Sequence, residues 1–151
     1  LWPGTCVVHE QFSHRALVEL KLSHAGARVA AHPECPEQIL ALADHVGSTS
    51  SILRYVQSDP AAAFIIATEP GIIHQMEKLA PGKTYIPLPG SSGECACNAC
   101  PYMRRNTLAN LHACLRDGSP RLDLPEPLRL AALRPLERML EMAAAPAPAG
   151  D

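Results

Sequence analysis

The sequence predicts an α/β fold in which a small parallel sheet lies between helices and is followed by C-terminal helices. Two observations carry this prediction. Short apolar or β-branched segments, typical of buried strands, occur at residues 28–31, 64–67 and 84–86. Segments with the apolar spacing of helices alternate with them across short turns. This alternation is characteristic of a parallel sheet.

The first elements follow from turn residues and apolar spacing. Residues 6–9 are apolar and β-branched, so we expect the end of a strand there. Ser13 is expected to cap a helix that closes near Gly26. After the strand at 28–31, Pro36 is expected at the first position of a second helix. The apolar stripe of that helix would contain Ile39, Leu40, Ala43 and Val46.

The middle of the chain predicts a polar loop and two further helices. Residues 47–50 form the loop, and Ser50 is the expected cap of a short helix that continues through Val56. Residues 68–71 are expected to turn the next strand into a helix that ends near Leu79.

The C-terminal part is expected to be a loop followed by helices. Residues 87–96 are rich in proline, glycine and serine and predict the loop. A longer helix should follow the cysteine-rich segment and end near Arg116, before Gly118. A final helical pattern covers 126–143, and Pro135 should kink or split it.

We divide the chain into an α/β domain (1–90), a cysteine loop with the C-terminal helices (91–145) and a disordered tail (146–151).

Composition limits the class of protein. The net charge of −2 provides no basic surface for nucleic acid. No apolar stretch reaches the roughly 18 residues that cross a membrane. The chain starts with neither a methionine nor a charged segment, so we expect no signal peptide, a cytoplasmic location and a fragment entered part-way.

Three of the six cysteines, Cys95, Cys97 and Cys100, fall within six residues. Such a cluster indicates metal binding or redox chemistry in a reducing compartment. Proline follows Cys100, as it follows the last cysteine of bacterial ferredoxin motifs. Iron–sulfur ligation, zinc binding and a redox pair all remain open on these residues alone.

The other cysteines are isolated in the sequence. Cys6 is the best candidate for an additional thiolate, because it lies at a presumed strand end on the side where ligands gather. Cys35, beside Pro36, stands at a helix N-cap position, where a functional and a structural role are both open and the structural one is preferred. Cys114 is expected to be a small buried apolar residue within a helix.

Polar residues cluster after the predicted strands. His9, His32 with Glu34, and Thr68 with Glu69 all stand where parallel sheets bind ligands. Proline between His32 and Glu34 keeps the backbone extended, so both side chains can reach one cavity. His32 and Glu34 could act as an acid–base pair in that cavity, or they could simply be solvent-exposed polar side chains. The loop at 47–51 offers hydroxyls and amides for an anion, or simply a helix cap.

Taken together, these segments resemble one family. The sequences WPGTCVVH, HPECP, VGSTS, CNACPYM and LERML occur in the order and spacing of quinolinate synthases, at residues 2–9, 32–36, 46–50, 97–103 and 136–140. The resemblance implies a pseudo-threefold arrangement of related α/β domains, each of which contributes one cysteine to a [4Fe–4S] cluster. It makes Cys6 the second ligand and Cys100 the third, with the first ligand in an upstream domain absent from this chain.

The resemblance also implies functional residues. His32, Pro33, Glu34 and Thr49 fall on positions that bind iminoaspartate, and Ser48 and His9 fall on neighbouring positions of the active site. We expect Glu34, His32 and His9 to be catalytic, and Ser48 with Thr49 to bind substrate. Cys97 matches a residue that forms a redox-sensitive disulfide with the ligand cysteine in some members. Cys95 is spaced differently from the family's pattern, so its role is open.

The implied reaction condenses iminoaspartate with dihydroxyacetone phosphate to quinolinate, phosphate and two waters, as a step of NAD biosynthesis. L-Aspartate oxidase or aspartate dehydrogenase would supply the iminoaspartate. The alternative hypothesis is a small zinc-binding or thiol-redox module built on Cys95, Cys97 and Cys100, which needs neither Cys6 nor the HPE segment.

Overall fold

The structure is a computed structural model that describes residues 4–91 and 98–144. The predictions for Cys95, Cys97 and the tail 146–151 fall outside the described residues. The chain divides into two compact units, Leu1–Asn106 and Thr107–Asp151. The three domain bounds expected from the sequence stay a prediction.

The first unit is built on a four-stranded parallel sheet. Its strands are β1 (Arg28–Ala31), β2 (His45–Val46), β3 (Ala63–Ala67) and β4 (Thr84–Pro87). They lie in the order β2-β1-β3-β4. The predicted α/β fold is confirmed, with the short strand β2 added at one edge.

Helices connect these strands. In chain order they are α1 (Val7–Glu10), α2 (His14–Ser23), α3 (Glu37–Leu40), α4 (Thr49–Ser58) and α5 (Ile73–Leu79). Single turns of 3₁₀ helix occupy Pro70–Ile72 and Met103–Arg105. The Ser13 hydroxyl accepts from the Ala16 amide, which confirms the predicted cap of α2.

Apolar side chains cover both faces of the sheet. Successive residues of β1 and β3 point to opposite faces, as the strand period of two requires. One cluster joins Val29, Ala31, Ile65 and Ala67 to buried residues from α1, α2 and α3. The other joins Ala30, Phe64 and Ile66 to Ile52, Val56 and Met76. Burial on two faces explains why these strands are continuously apolar.

Three of the predicted element boundaries in the first unit are wrong. Residues 6–9 do not form a strand end, because α1 begins after Cys6. The second helix ends at Leu40, and Val46 belongs to β2, where it pairs with Ala31. Ser48, and not Ser50, caps α4 by accepting from the Ser51 amide. For Val46, pairing with β1 overrode the local helical pattern.

The second unit contains α6 (Leu108–Asp117) and α7 (Glu126–Ala144). The Thr107 hydroxyl caps α6, so the helix predicted directly after the cysteine segment begins later than expected. Gly118 ends α6 in the left-handed conformation, as predicted. Helix α7 continues unbroken through Pro135. Within the described ranges, no helix is long and apolar enough to span a membrane.

Candidate functional site

The candidate site lies at the carboxyl edge of the sheet, where chain segments that leave the strands meet α1. His32 directly follows β1 and Thr68 directly follows β3, and the two strands pair with Ala31 opposite Ala67. The segment after β4 holds the residues that follow α1, because the Ser13 amide donates to the Pro89 carbonyl. The fold therefore brings α1 to the ends of β1 and β3.

A hydrogen-bonded network is centred on His9. The Nδ1 atom of His9 lies 2.9 Å from Glu34 Oε2, and its Nε2 atom lies 3.1 Å from Thr68 Oγ1. His9 and Thr68 are both buried, whereas about half of the Glu34 side chain is exposed. Both ring nitrogens of His9 are thus engaged, and Glu34 extends the network to the surface.

His32 completes this network by stacking on the His9 ring. The backbone N–H of Glu34 donates to His32 Nδ1 over 3.3 Å. Nδ1 is therefore an acceptor, which places the proton of a neutral His32 on Nε2. Burial lowers the pKa of His32, and the neighbouring His9 lowers it further, against the opposing effect of Glu34. A neutral His32 can donate a hydrogen bond through Nε2.

Two cysteines share one cavity beside this network. The cavity has a volume of about 450 Å³. The residues that line it include Cys6, His9, Thr49, Thr68, Glu69 and Cys100. His32 and Glu34 do not line this cavity, but Glu34 is hydrogen-bonded to His9, which does. Cys6 and Cys100 are both partly buried.

Polar contacts hold the segment that carries Cys100. One oxygen of the Glu69 carboxylate accepts from the Gly71 amide at 2.7 Å, and the other accepts from the Cys100 amide at 3.4 Å. The side-chain amide of Asn98 donates to the Val8 carbonyl of α1. The Met103 amide donates to Cys100 Sγ at 3.4 Å. The Cys100 sulfur thus receives a backbone donor from the 3₁₀ turn Met103–Arg105. This turn, and not the predicted helix, directly follows the cysteine-rich segment.

The loop before α4 brings Thr49, but not Ser48, to the cavity wall. The Ser48 hydroxyl accepts from the Ser51 amide as the helix cap. Glycine is favoured at position 47 for steric reasons, because a Cβ atom there would lie 2.7 Å from Ser51 Oγ and 2.9 Å from His45 Nε2. Pro33 is exposed between His32 and Glu34.

The remaining described cysteines are not part of the cavity wall. Cys35 is buried in the core and donates its thiol proton to the Ala67 carbonyl. Burial raises the pKa of the Cys35 thiol to about 11, so it is a structural residue as predicted. Cys114 is exposed on α6, and the prediction that it is buried is wrong.

Three potential metal-binding atoms converge at the edge of the cavity. One ligand atom each from Cys6, His9 and Glu34 lies within 4.8 Å of the others. Because hydrogen bonds already engage both nitrogens of His9, we assign its ring to the network, and the sulfur atoms are the softer metal ligands.

Sequence reasoning missed the contacts of Thr68, Glu69 and Asn98. The position of Thr68 and Glu69 after a predicted strand indicates that they lie near a site, but it does not indicate what either side chain contacts. Asn98 stands inside the CNACPYM motif, but nothing in the sequence indicated that it binds the Val8 carbonyl, 90 residues away.

Comparison with known proteins identifies the family. Residues 1–141 match the family described as NadA, quinolinate synthetase A protein. The chain belongs to the quinolinate synthase family. The resemblance carried by the five sequence segments is therefore confirmed.

Relatives within the family are similar over nearly the whole chain. A quinolinate synthase of Thermosynechococcus vestitus is 53% identical over 142 residues, which are 94% of this chain and 44% of that protein. Those of a Synechococcus strain and of Microcystis aeruginosa are also 53% identical, over 95% and 94% of this chain and 45% and 44% of theirs. The chain spans less than half the length of these curated relatives.

Proposed function

We propose that this chain provides the C-terminal part of a quinolinate synthase active site. In that reaction, iminoaspartate and dihydroxyacetone phosphate condense to quinolinate, phosphate and two waters, a step of NAD biosynthesis. The observation that carries the proposal is the single cavity lined by Cys6, Cys100 and His9, beside the His32–Glu34 pair. Membership in the family supports the same activity.

The donor set fits a [4Fe–4S] cluster. Two cysteine sulfurs, from Cys6 and Cys100, line one cavity, and cysteine thiolates are the usual ligands of such clusters. The backbone N–H of Met103 donates to one of these sulfurs, an arrangement that suits a negatively charged ligand. We propose that the third thiolate comes from a part of the enzyme outside this chain. When bound, the cluster would supply an iron with an open coordination position, which acts as a Lewis acid.

The residues of this chain would bind substrate and move protons. His32 would donate from Nε2 to an oxygen of iminoaspartate, because its Nδ1 already accepts from the Glu34 amide. Glu34 would exchange protons with the substrate, since it is half-exposed and held in place by His9 through one oxygen. Thr49 would hydrogen-bond a carboxylate or the phosphate from the cavity wall. Ser48 would act through its backbone, because its hydroxyl caps α4.

The partners follow from this reaction. We propose that an L-aspartate oxidase or an aspartate dehydrogenase supplies iminoaspartate, and that the enzyme works in the cytoplasm.

The test uses a protein of the relatives' length that carries this sequence, called the full-length enzyme below. It is purified without oxygen and assayed for iron, sulfide, zinc and quinolinate formation. Four irons with sulfide and the production of quinolinate from both substrates are expected. Stoichiometric zinc without iron would instead favour a zinc module, and iron without quinolinate would contradict the proposed reaction.

A further inference from the structure

Thr68 is a buried polar residue to which the proposed reaction assigns no role. It lies at the carboxyl end of β3, is only 2% exposed, and its hydroxyl is 3.1 Å from His9 Nε2. The two residues are 59 positions apart in the sequence. A buried hydroxyl directed at a buried imidazole restricts the orientation of the ring.

The direction of the hydrogen bonds follows from the partners of His9. A carboxylate oxygen only accepts, so His9 donates to Glu34 through Nδ1–H at 2.9 Å. In a neutral imidazole the other nitrogen then carries a lone pair. A threonine hydroxyl can supply the matching proton. The chain of hydrogen bonds therefore runs from the Thr68 hydroxyl through the His9 ring to Glu34.

The His32 ring restricts His9 from a third side. It stacks at 4.0 Å from His9, with the two planes 8° from parallel. This contact limits tilting of the ring, but it does not determine which nitrogen carries the proton. The carboxylate of Glu34 decides that, because it only accepts, whereas the Thr68 hydroxyl can donate or accept.

We propose that Thr68 is a positioning residue, whose hydroxyl donates to His9 Nε2 and holds the His9 ring in the orientation that directs its Nδ1–H at Glu34. Its consequence for turnover rests on the function proposed above. Glu34 would then keep one oxygen on His9 and present its carboxylate in a single orientation. Removal of the Thr68 hydroxyl leaves Nε2 without a hydrogen-bond donor and lets the His9 ring turn away from Glu34.

The test compares Thr68→Val, which removes the hydroxyl at similar volume, with Thr68→Ser, which keeps it. Thr84→Val makes the same chemical change at an exposed position of β4 and is the matched control. The first readout is the tautomer of His9 and the ¹⁵N shift of its Nε2 in metal-free full-length enzyme labelled with ¹⁵N in histidine. Long-range ¹H–¹⁵N spectra at mildly alkaline pH distinguish the tautomers, and the His9 signals are those lost in His9→Asn.

We expect the Nδ1–H tautomer in the wild type, in Thr68→Ser and in Thr84→Val, with the ¹⁵N shift of Nε2 that of a nitrogen accepting a hydrogen bond. In Thr68→Val this Nε2 shift should move to that of an imidazole nitrogen without a donor. An Nε2–H tautomer in the wild type would overturn the proposal without any variant of Thr68. An unchanged Nε2 shift in a folded Thr68→Val protein would overturn it as well.

The second readout is turnover by the cluster-loaded enzyme. Thr68→Val should lower kcat by about 10-fold, which corresponds to the loss of one hydrogen bond that orients His9. KM and iron content should stay near wild type, and Thr68→Ser should recover most of kcat. Equal losses in Thr68→Val and Thr68→Ser would overturn the proposal. If the wild type makes no quinolinate, the proposed function fails, and the measurement of the His9 nitrogens still decides the role of Thr68.

Discussion

The imidazole rings of His9 and His32 stack face to face, with centroids 4.0 Å apart and planes 8° from parallel. One ring comes from α1 and the other from the residue that follows β1. Two positive charges at this distance would repel each other. Burial and the presence of His9 both lower the pKa of His32. The pair therefore favours a neutral His32 that donates through Nε2, next to a Glu34 carboxylate that His9 holds.

Replacing Glu34 by glutamine should remove proton transfer while keeping the shape of the site. A glutamine oxygen can still accept from His9 Nδ1, but the side-chain amide cannot take up or release a proton near neutral pH. We expect kcat of the full-length enzyme to fall by about 10²- to 10⁴-fold, with the absorption of the cluster unchanged. Steady-state kinetics and visible spectra test this. Glu37→Gln, on the exposed side of α3, is the control and should not change kcat.

Two results would contradict the role of Glu34. Loss of iron from Glu34→Gln would make the residue structural for the cluster. Turnover at the wild-type rate would remove it from proton transfer.

The cluster should depend on two cysteines of this chain. We expect Cys6→Ala and Cys100→Ala in the full-length enzyme each to lose the cluster, because each removes one thiolate from the shared cavity. Cys114→Ala is the control, since that side chain is exposed on α6. Cys95→Ala and Cys97→Ala should also retain the cluster. Iron and sulfide analysis after anaerobic purification measures the outcome.

Retention of iron by Cys100→Ala, together with its loss in Cys95→Ala or Cys97→Ala, would show that a different sulfur of the trio binds the metal.

Cys35 should make the stability of the protein depend on alkaline pH. Burial raises the pKa of its thiol from 9.0 to about 11 in the folded state. Between these values the unfolded chain loses the thiol proton and the folded chain keeps it, so ionisation favours unfolding. The free energy of unfolding should therefore fall as pH rises from about 9 to about 11, by at most about 1.4 kcal/mol per pH unit from this group.

Urea unfolding of the wild type and of Cys35→Ala across this pH range isolates the contribution of Cys35. Tyr55 and Tyr85, whose pKa values burial also raises, remain in both proteins, so their effect cancels in the difference. The variant should be less stable at neutral pH but show a shallower decline. Parallel declines would mean that the Cys35 thiol ionises equally in both states.

The 151-residue chain by itself should form no quinolinate. The family resemblance implies that one cluster thiolate lies outside this chain, and the chain spans 44% of its relative from Thermosynechococcus vestitus. The assay uses the purified chain after iron and sulfide reconstitution, with both substrates and the full-length enzyme as the positive control. Quinolinate formed by the chain alone would refute this expectation.

The central strands of the sheet could be predicted because burial on both faces requires consecutive apolar residues, which are visible in the sequence. The apolar runs at 28–31 and 64–67 form β1 and β3, which are covered on both faces. The strand β2 has no such apolar run. Its two residues become a strand only through pairing with Ala30 and Ala31 of β1. A two-residue strand is specified by its partner and not by its own periodicity.

The sequence by itself determined the family, the α/β class and the types of residue available for chemistry, because these depend on local composition and on ordered motifs. Only the tertiary structure decided their arrangement. The β-branched residues Val7 and Val8 favour a strand, yet they form α1, which buries Val8 and directs His9 at Thr68 and Glu34. Hydrogen bonds between residues 25 and 59 positions apart arise from parallel strand alignment, which no local pattern encodes.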